Sequence, residues 1–73
     1  MAASLKVGSV VVVKNARESN GSREHPAIVN RVWNPGCINV TVFPDCGSPY
    51  ALTSLQSMAD FPSDEYPRFV AVE

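Results

Sequence analysis

Four consecutive valines, Val10 to Val13, stand between Gly8-Ser9 and Lys14, and this block constrains the fold more than any other feature. β-Branched side chains lose rotamer freedom in a helix but pack well on a pleated surface, and four residues without helical period are too few for a helix. The block predicts a first strand. The nine residues 25–33, His-Pro-Ala-Ile-Val-Asn-Arg-Val-Trp, predict a second, whose start is fixed by Pro26 because proline donates no ladder hydrogen bond. Asn34-Pro35-Gly36 supplies turn chemistry, with Pro presetting φ and Gly tolerating positive φ. Residues 37–43 then alternate: Ile38, Val40 and Val42 fall on one face, Cys37, Asn39, Thr41 and Phe43 on the other. A turn over 44–48 and a returning strand over 49–54 complete a meander. Phe69-Val70-Ala71-Val72 is expected to close the sheet beside the first strand and so remove an edge.

Between these runs, residues 15–24 carry Gly, Ser, Asn and four charges with one small apolar residue, which predicts an exposed, mobile loop. Residues 55–67 are broken by Pro62 and Pro67 and leave room for one 3-10 turn but no helix. There are no repeats and no low-complexity segment. The expected fold is all-β: a small five-stranded antiparallel SH3-like barrel, with residues 1–73 as a single domain. At 73 residues only about 60% of the unfolded surface is buried. That allows one small core and excludes a deep, multi-step active site.

The segments Val7-Gly8-Ser9-Val10-Val11 and His25-Pro26-Ala27-Ile28-Val29 resemble the first two strands of SH3-like barrels of the Tudor and PWWP type. The resemblance implies that Ala27 and Val29 point inward and that Trp33 lies near the end of strand two. The chain departs from PWWP domains in lacking tandem tryptophans, and from Tudor domains in lacking a set of cage aromatics. It is also similar, over residues 7–54, to small phage and prophage accessory proteins with a Pro-Ala-Ile-Val run, a Val-Trp pair and a segment like 39–45. Some compact phage proteins of this size sequester nucleotide immune signals as oligomers, so the resemblance implies a ligand of that class.

Charge narrows the choice further. The net charge is -1, which argues against a general nucleic-acid binder, because phosphate affinity is carried by clustered Lys and Arg. The charge is uneven, however. Residues 1–31 hold Lys6, Lys14, Arg17, Arg23 and Arg31 against Glu18 and Glu24, a balance of +3; residues 32–73 hold Arg68 against five acids, a balance of -4. A local basic face is therefore expected. No apolar run is long enough to cross a bilayer and no signal-peptide pattern opens the sequence, so the expected location is the cytoplasm of a host cell.

Catalytic and metal chemistry find little support. Cys37 and Cys46 are the only cysteines; an extended segment between them separates them by about 20 Å, well past the limit of about 7 Å between bridged α-carbons. Two free thiols are expected. His25 is the only histidine, no motif joins it to a nucleophile and an acid, and Cys and His lack metal-ligand spacing. The four glycines are scattered and form no phosphate cradle. The expectation is a protein that is not an enzyme, with no cofactor and no metal.

A binding surface is the remaining reading. Trp33, Phe43 and Tyr50 are candidates to stack on a base, Arg17, Arg23 and Arg31 to meet phosphate, and His25 to lie beside them at the end of the loop. Asn30, Asn34, Asn39 and Thr53 can supply further hydrogen bonds. The expected function is sequestration of a host nucleotide signal by a phage-type anti-defence protein, acting by mass action and releasing the ligand unchanged. The alternatives are a module that occludes a host protein and, third, a nucleic-acid-binding barrel. A homo-oligomer is expected, because a second copy supplies the concavity that one small barrel lacks.

Overall fold

The computed structural model describes residues 5–72. Five strands follow in order: β1 (Val10–Lys14), β2 (His25–Asn34), β3 (Cys37–Val42), β4 (Tyr50–Ser57) and β5 (Arg68–Ala71). They close into a barrel in that order, with β5 returning to β1. The fold is all-β, without a helix among the described residues, and its connectivity is compatible with a small SH3-like barrel.

Four of the five seams are antiparallel, three between consecutive strands and one between β1 and β5; the fifth, between β4 and β5, is parallel. Topology forces this departure from a wholly antiparallel barrel. An odd number of strands cannot alternate direction all the way round a closed ring, so one seam must run parallel. It is also the shortest, with only Gln56 opposite Arg68 and Ser57 opposite Phe69.

The core follows the alternation. Val11, Val13, Ala27, Val29, Ile38, Val40 and Val42 are fully enclosed, with Leu55 and Phe69 closing the ends and Leu5, Val32, Tyr50 and Leu52 packed against them. Each buried valine or isoleucine removes apolar surface worth about 1.5–3 kcal/mol from water. The inward pair Ala27 and Val29 and the inward face Ile38, Val40 and Val42 fall where the sequence placed them. Cys37 and Cys46 are free thiols.

Two strands break their period-2 pattern beside one residue. β2 pairs Val29 with Val40 and then Arg31 with Asn39, so Asn30 is extra; β4 pairs Leu52 with Val40 and then Leu55 with Ile38. These bulges turn Val32 as well as Val29 inward, and Leu55 as well as Leu52, at spacings of three rather than two. The second bulge carries β4 on to Ser57, beyond the strand end expected at 54.

The connections correct three expectations. Residues 15–24 are not a loose loop but a hairpin: Ala16 N donates to Arg23 O at 2.9 Å, and Ser19 and Ser22 exchange backbone hydrogen bonds at 2.8 and 3.0 Å. Asn20 and Gly21, between them, both have positive φ, 53° and 87°, the signature of a type I′ turn. At the other end, Gly36 does not use a left-handed conformation. A Cβ there would stand 2.7 Å from Asp60 Oδ2, so the glycine provides room for a side chain packed over the turn. After β4, Phe61 N donates to Ser57 O, a single turn of i to i+4 type in place of the expected 3-10 turn.

Candidate functional site

The ends of β1 and β3 and the starts of β2 and β4 bring hairpin 15–24 and loop 43–49 to the same end of the barrel. The two are tied together. Ser19 Oγ donates to Cys46 O and accepts from Cys46 N, and Asn20 Nδ2 donates to Asp45 Oδ2 at 2.8 Å. Between them lies a cleft of about 140 Å³ lined by Arg17, Glu18, Ser19, Pro44, Cys46 and Tyr50 together with residues 47–48.

Along the lining of this cleft the Arg17 guanidinium carbon lies 4.3 Å from the centroid of the Tyr50 ring, within cation-π range. Stacking on one ring face holds the cation in place while its edge N–H groups remain free to meet an incoming acceptor. Glu18, the acid beside it, accepts from the Gly21 N–H at 3.2 Å. Tyr50 is half-buried, and its hydroxyl is enclosed with no hydrogen-bond partner among the described residues.

The structure brings together only some of the predicted site residues. Arg17 and Tyr50 share the cleft. Arg31 and Trp33 form a second stack, 3.9 Å from guanidinium carbon to ring centroid, near the far end of β2 on the outer wall. Phe43 is exposed next to Pro26, whose carbonyl accepts its N–H. Arg23 is exposed, but its Nε turns back to Ala16 O at 3.3 Å and serves the hairpin.

His25 leaves the set of candidate ligand-binding residues. It is 1% exposed, and its Nε2 pairs with the carbonyl oxygen of Arg17 at 2.9 Å. The first residue of β2 points inward by the same alternation that buries Ala27 and Val29. It fixes the backbone of Arg17 from below rather than meeting a ligand from above.

Sequence reasoning also missed two features. One is the Ser19-Asn20-Gly21-Ser22 turn, for which Asn-Gly was the available signal. The other is a second cleft of about 350 Å³, with residues 52–56 of β4 on one wall and Tyr66, Pro67 and Arg68 on the other. Arg68 lies over Tyr66 at 5.9 Å, and nothing in the run before β5 signals a groove.

Among the described residues no cluster of three or more His, Cys, Asp or Glu side chains is gathered as a metal site, and no helix is long and apolar enough to cross a membrane. Comparison with protein-family models, with curated proteins and with solved structures finds no match. The functional reading therefore rests on the geometry of the chain itself.

Proposed function

We propose that this chain is a non-enzymatic binding domain that takes a short segment of a partner protein into the cleft between hairpin 15–24 and loop 43–49. One observation carries the reading: Arg17 is already stacked on Tyr50 in the lining of a cleft of about 140 Å³ that Pro44 also lines. Pockets that enclose whole small ligands usually span about 300–1,000 Å³. A cleft of this size suits one or two side chains, with an aromatic and a proline for apolar contact and a fixed guanidinium for a carboxylate or carbonyl. In the phage setting that the sequence resemblance implies, such a domain acts by occluding a host protein.

A second reading, sequestration of a nucleotide, is supported by the two stacks Arg17/Tyr50 and Arg31/Trp33, which place cations beside aromatic faces. In each pair the arginine already covers one ring face. This reading therefore calls for a base on the other face and for a second copy of the chain to deepen the site.

The test is fluorescence polarisation of an arrayed library of short peptides, and of a panel of cyclic oligonucleotides and adenosine-diphosphate-ribose derivatives, against the wild-type chain and Arg17→Ala. The proposal expects saturable peptide binding that Arg17→Ala weakens by about tenfold. An intact nucleotide held at fixed stoichiometry, with no peptide bound, favours the second reading. Conversion of any probe to a product overturns both.

A further inference from the structure

Among the described residues β4 is paired along most of its length on one side only. On the β3 side it pairs from Tyr50 to Gln56; on the β5 side it pairs only at Gln56 and Ser57. Residues 50–55 thus present an edge towards β5 with no strand beside it. Among the described residues no backbone hydrogen bond outside the sheet reaches them. Before those two pairs the cleft of about 350 Å³ lies along the edge, with Tyr66, Pro67 and Arg68 across it.

From 50 to 53 this edge runs as an extended chain, before the left-handed Ser54, whose N–H is held by Asn39 Oδ1, interrupts it; a free edge offers N–H and C=O groups, and its natural occupant is another strand. Charge decides which strand. Arg17 stacks on Tyr50 at one end of the edge, and Arg68 pairs with Gln56 at the other. The Arg68 side chain donates to the carbonyl oxygens of Phe61 and Pro67, and among the described residues no carboxylate pairs with it and no acid lines the larger cleft. A second copy fits poorly, because antiparallel pairing of β4 with its own copy sets the Arg68 of each chain against the Arg17 of the other.

We propose that an extended peptide carrying an acidic residue near each end adds to the free edge of β4 as a sixth strand, its main chain pairing with residues 50–53 before the bulge and its two carboxylates meeting Arg17 and Arg68. The inference rests on the reading of the Arg17/Tyr50 cleft as a peptide site and names its ligand class. From 50 to 56 the edge spans at most about 20 Å at about 3.3 Å per residue, and the bulge at 53–54 shortens it, so the two acids stand no more than about six residues apart.

The probe is the blocked peptide Asp-Thr-Val-Thr-Val-Thr-Asp, titrated into the full chain and followed by amide hydrogen exchange and NMR. The expected result is saturable binding, slowed exchange confined mainly to 50–56, at least fivefold weaker binding of the version with lysine at both ends, and loss of binding when alternate peptide nitrogens are methylated. Equal binding of the methylated peptide, with shifts at Arg17 and Tyr50 but no protection along β4, overturns strand addition and leaves the cleft reading standing. Protection of 50–56 that rises with protein concentration and without peptide overturns it in favour of a second copy. Absence of binding by any peptide of the set, with the arrayed library also silent, overturns both.

Discussion

The indole Nε1 of Trp33 donates a 2.9 Å hydrogen bond to Oδ1 of Asn39. The same oxygen accepts from Ser54 N at 2.9 Å, so one side chain on β3 holds both neighbouring strands where each changes register. Ser54 has a left-handed backbone, φ 53°, which costs a non-glycine residue about 1 kcal/mol or more. The Asn39 acceptor offsets part of that cost. Asn39→Ala is expected to lower stability by about 1–2 kcal/mol, seen as a lower urea midpoint at unchanged m-value, whereas Asn39→Asp keeps the acceptor and costs less. Equal losses in the two variants would remove this role.

His25 and Arg17 make opposite predictions although they touch each other. His25→Ala opens a void in the barrel end and strands the Arg17 carbonyl, and should cost about 2–4 kcal/mol of stability. Arg17→Ala, at an exposed position, should change stability by no more than about 0.5 kcal/mol while weakening peptide binding. Chemical denaturation and a binding titration on the same two variants separate the roles. A His25 variant that loses affinity without losing stability would return it to the binding site.

Hairpin 15–24 owes its order to the turn at Asn20-Gly21. Gly21→Ala places a Cβ on a residue with φ 87° and should destabilise the chain by about 1 kcal/mol, a fall in melting temperature of about 4–8 °C for a domain of this size. The hairpin amides should exchange faster in the variant. Unchanged exchange would indicate that the ties to Asp45 and Cys46 alone hold the segment.

Much of this architecture was legible from short-range pattern. The valine block, the alternation of Ile38, Val40 and Val42, and the terminal Phe69 strand each declare their faces, because one side of every strand must be buried. The bulges were not legible. Leu52 and Leu55 both face inward, a spacing of three that breaks the strand period of two until the left-handed Ser54 is known, so β4 was expected to end early. The parallel seam follows from counting strands round a closed ring rather than from any residue. At the site, Arg17 and Tyr50 lie far apart in sequence and meet only because β1 and β4 reach the same barrel end, whereas Arg31 and Trp33 stack at the other end of β2. His25 was misplaced because its neighbour Pro26 suggested a loop end, while strand alternation, extended one residue further, turns it inward.

Tyr50→Phe removes a hydroxyl that is enclosed without a partner among the described residues. An unpaired buried polar group costs about 1–3 kcal/mol. The variant should therefore be as stable as the wild type or more stable by about 1 kcal/mol, and the phenyl ring still carries Arg17. A loss above about 1 kcal/mol in thermal or urea unfolding would show that the hydroxyl is engaged.

The central claim is that this barrel binds a partner segment between hairpin 15–24 and loop 43–49 and does no chemistry on it. The most direct measurement is chemical-shift mapping of the wild-type chain with the tightest peptide from the arrayed library, followed by mass analysis of the recovered peptide. The account predicts that resonances of Arg17, Ser19, Cys46 and Tyr50 move together and saturate, and that the peptide returns intact. Saturable shifts confined to Arg31, Trp33 and the outer wall, or a recovered peptide of altered mass, would contradict it.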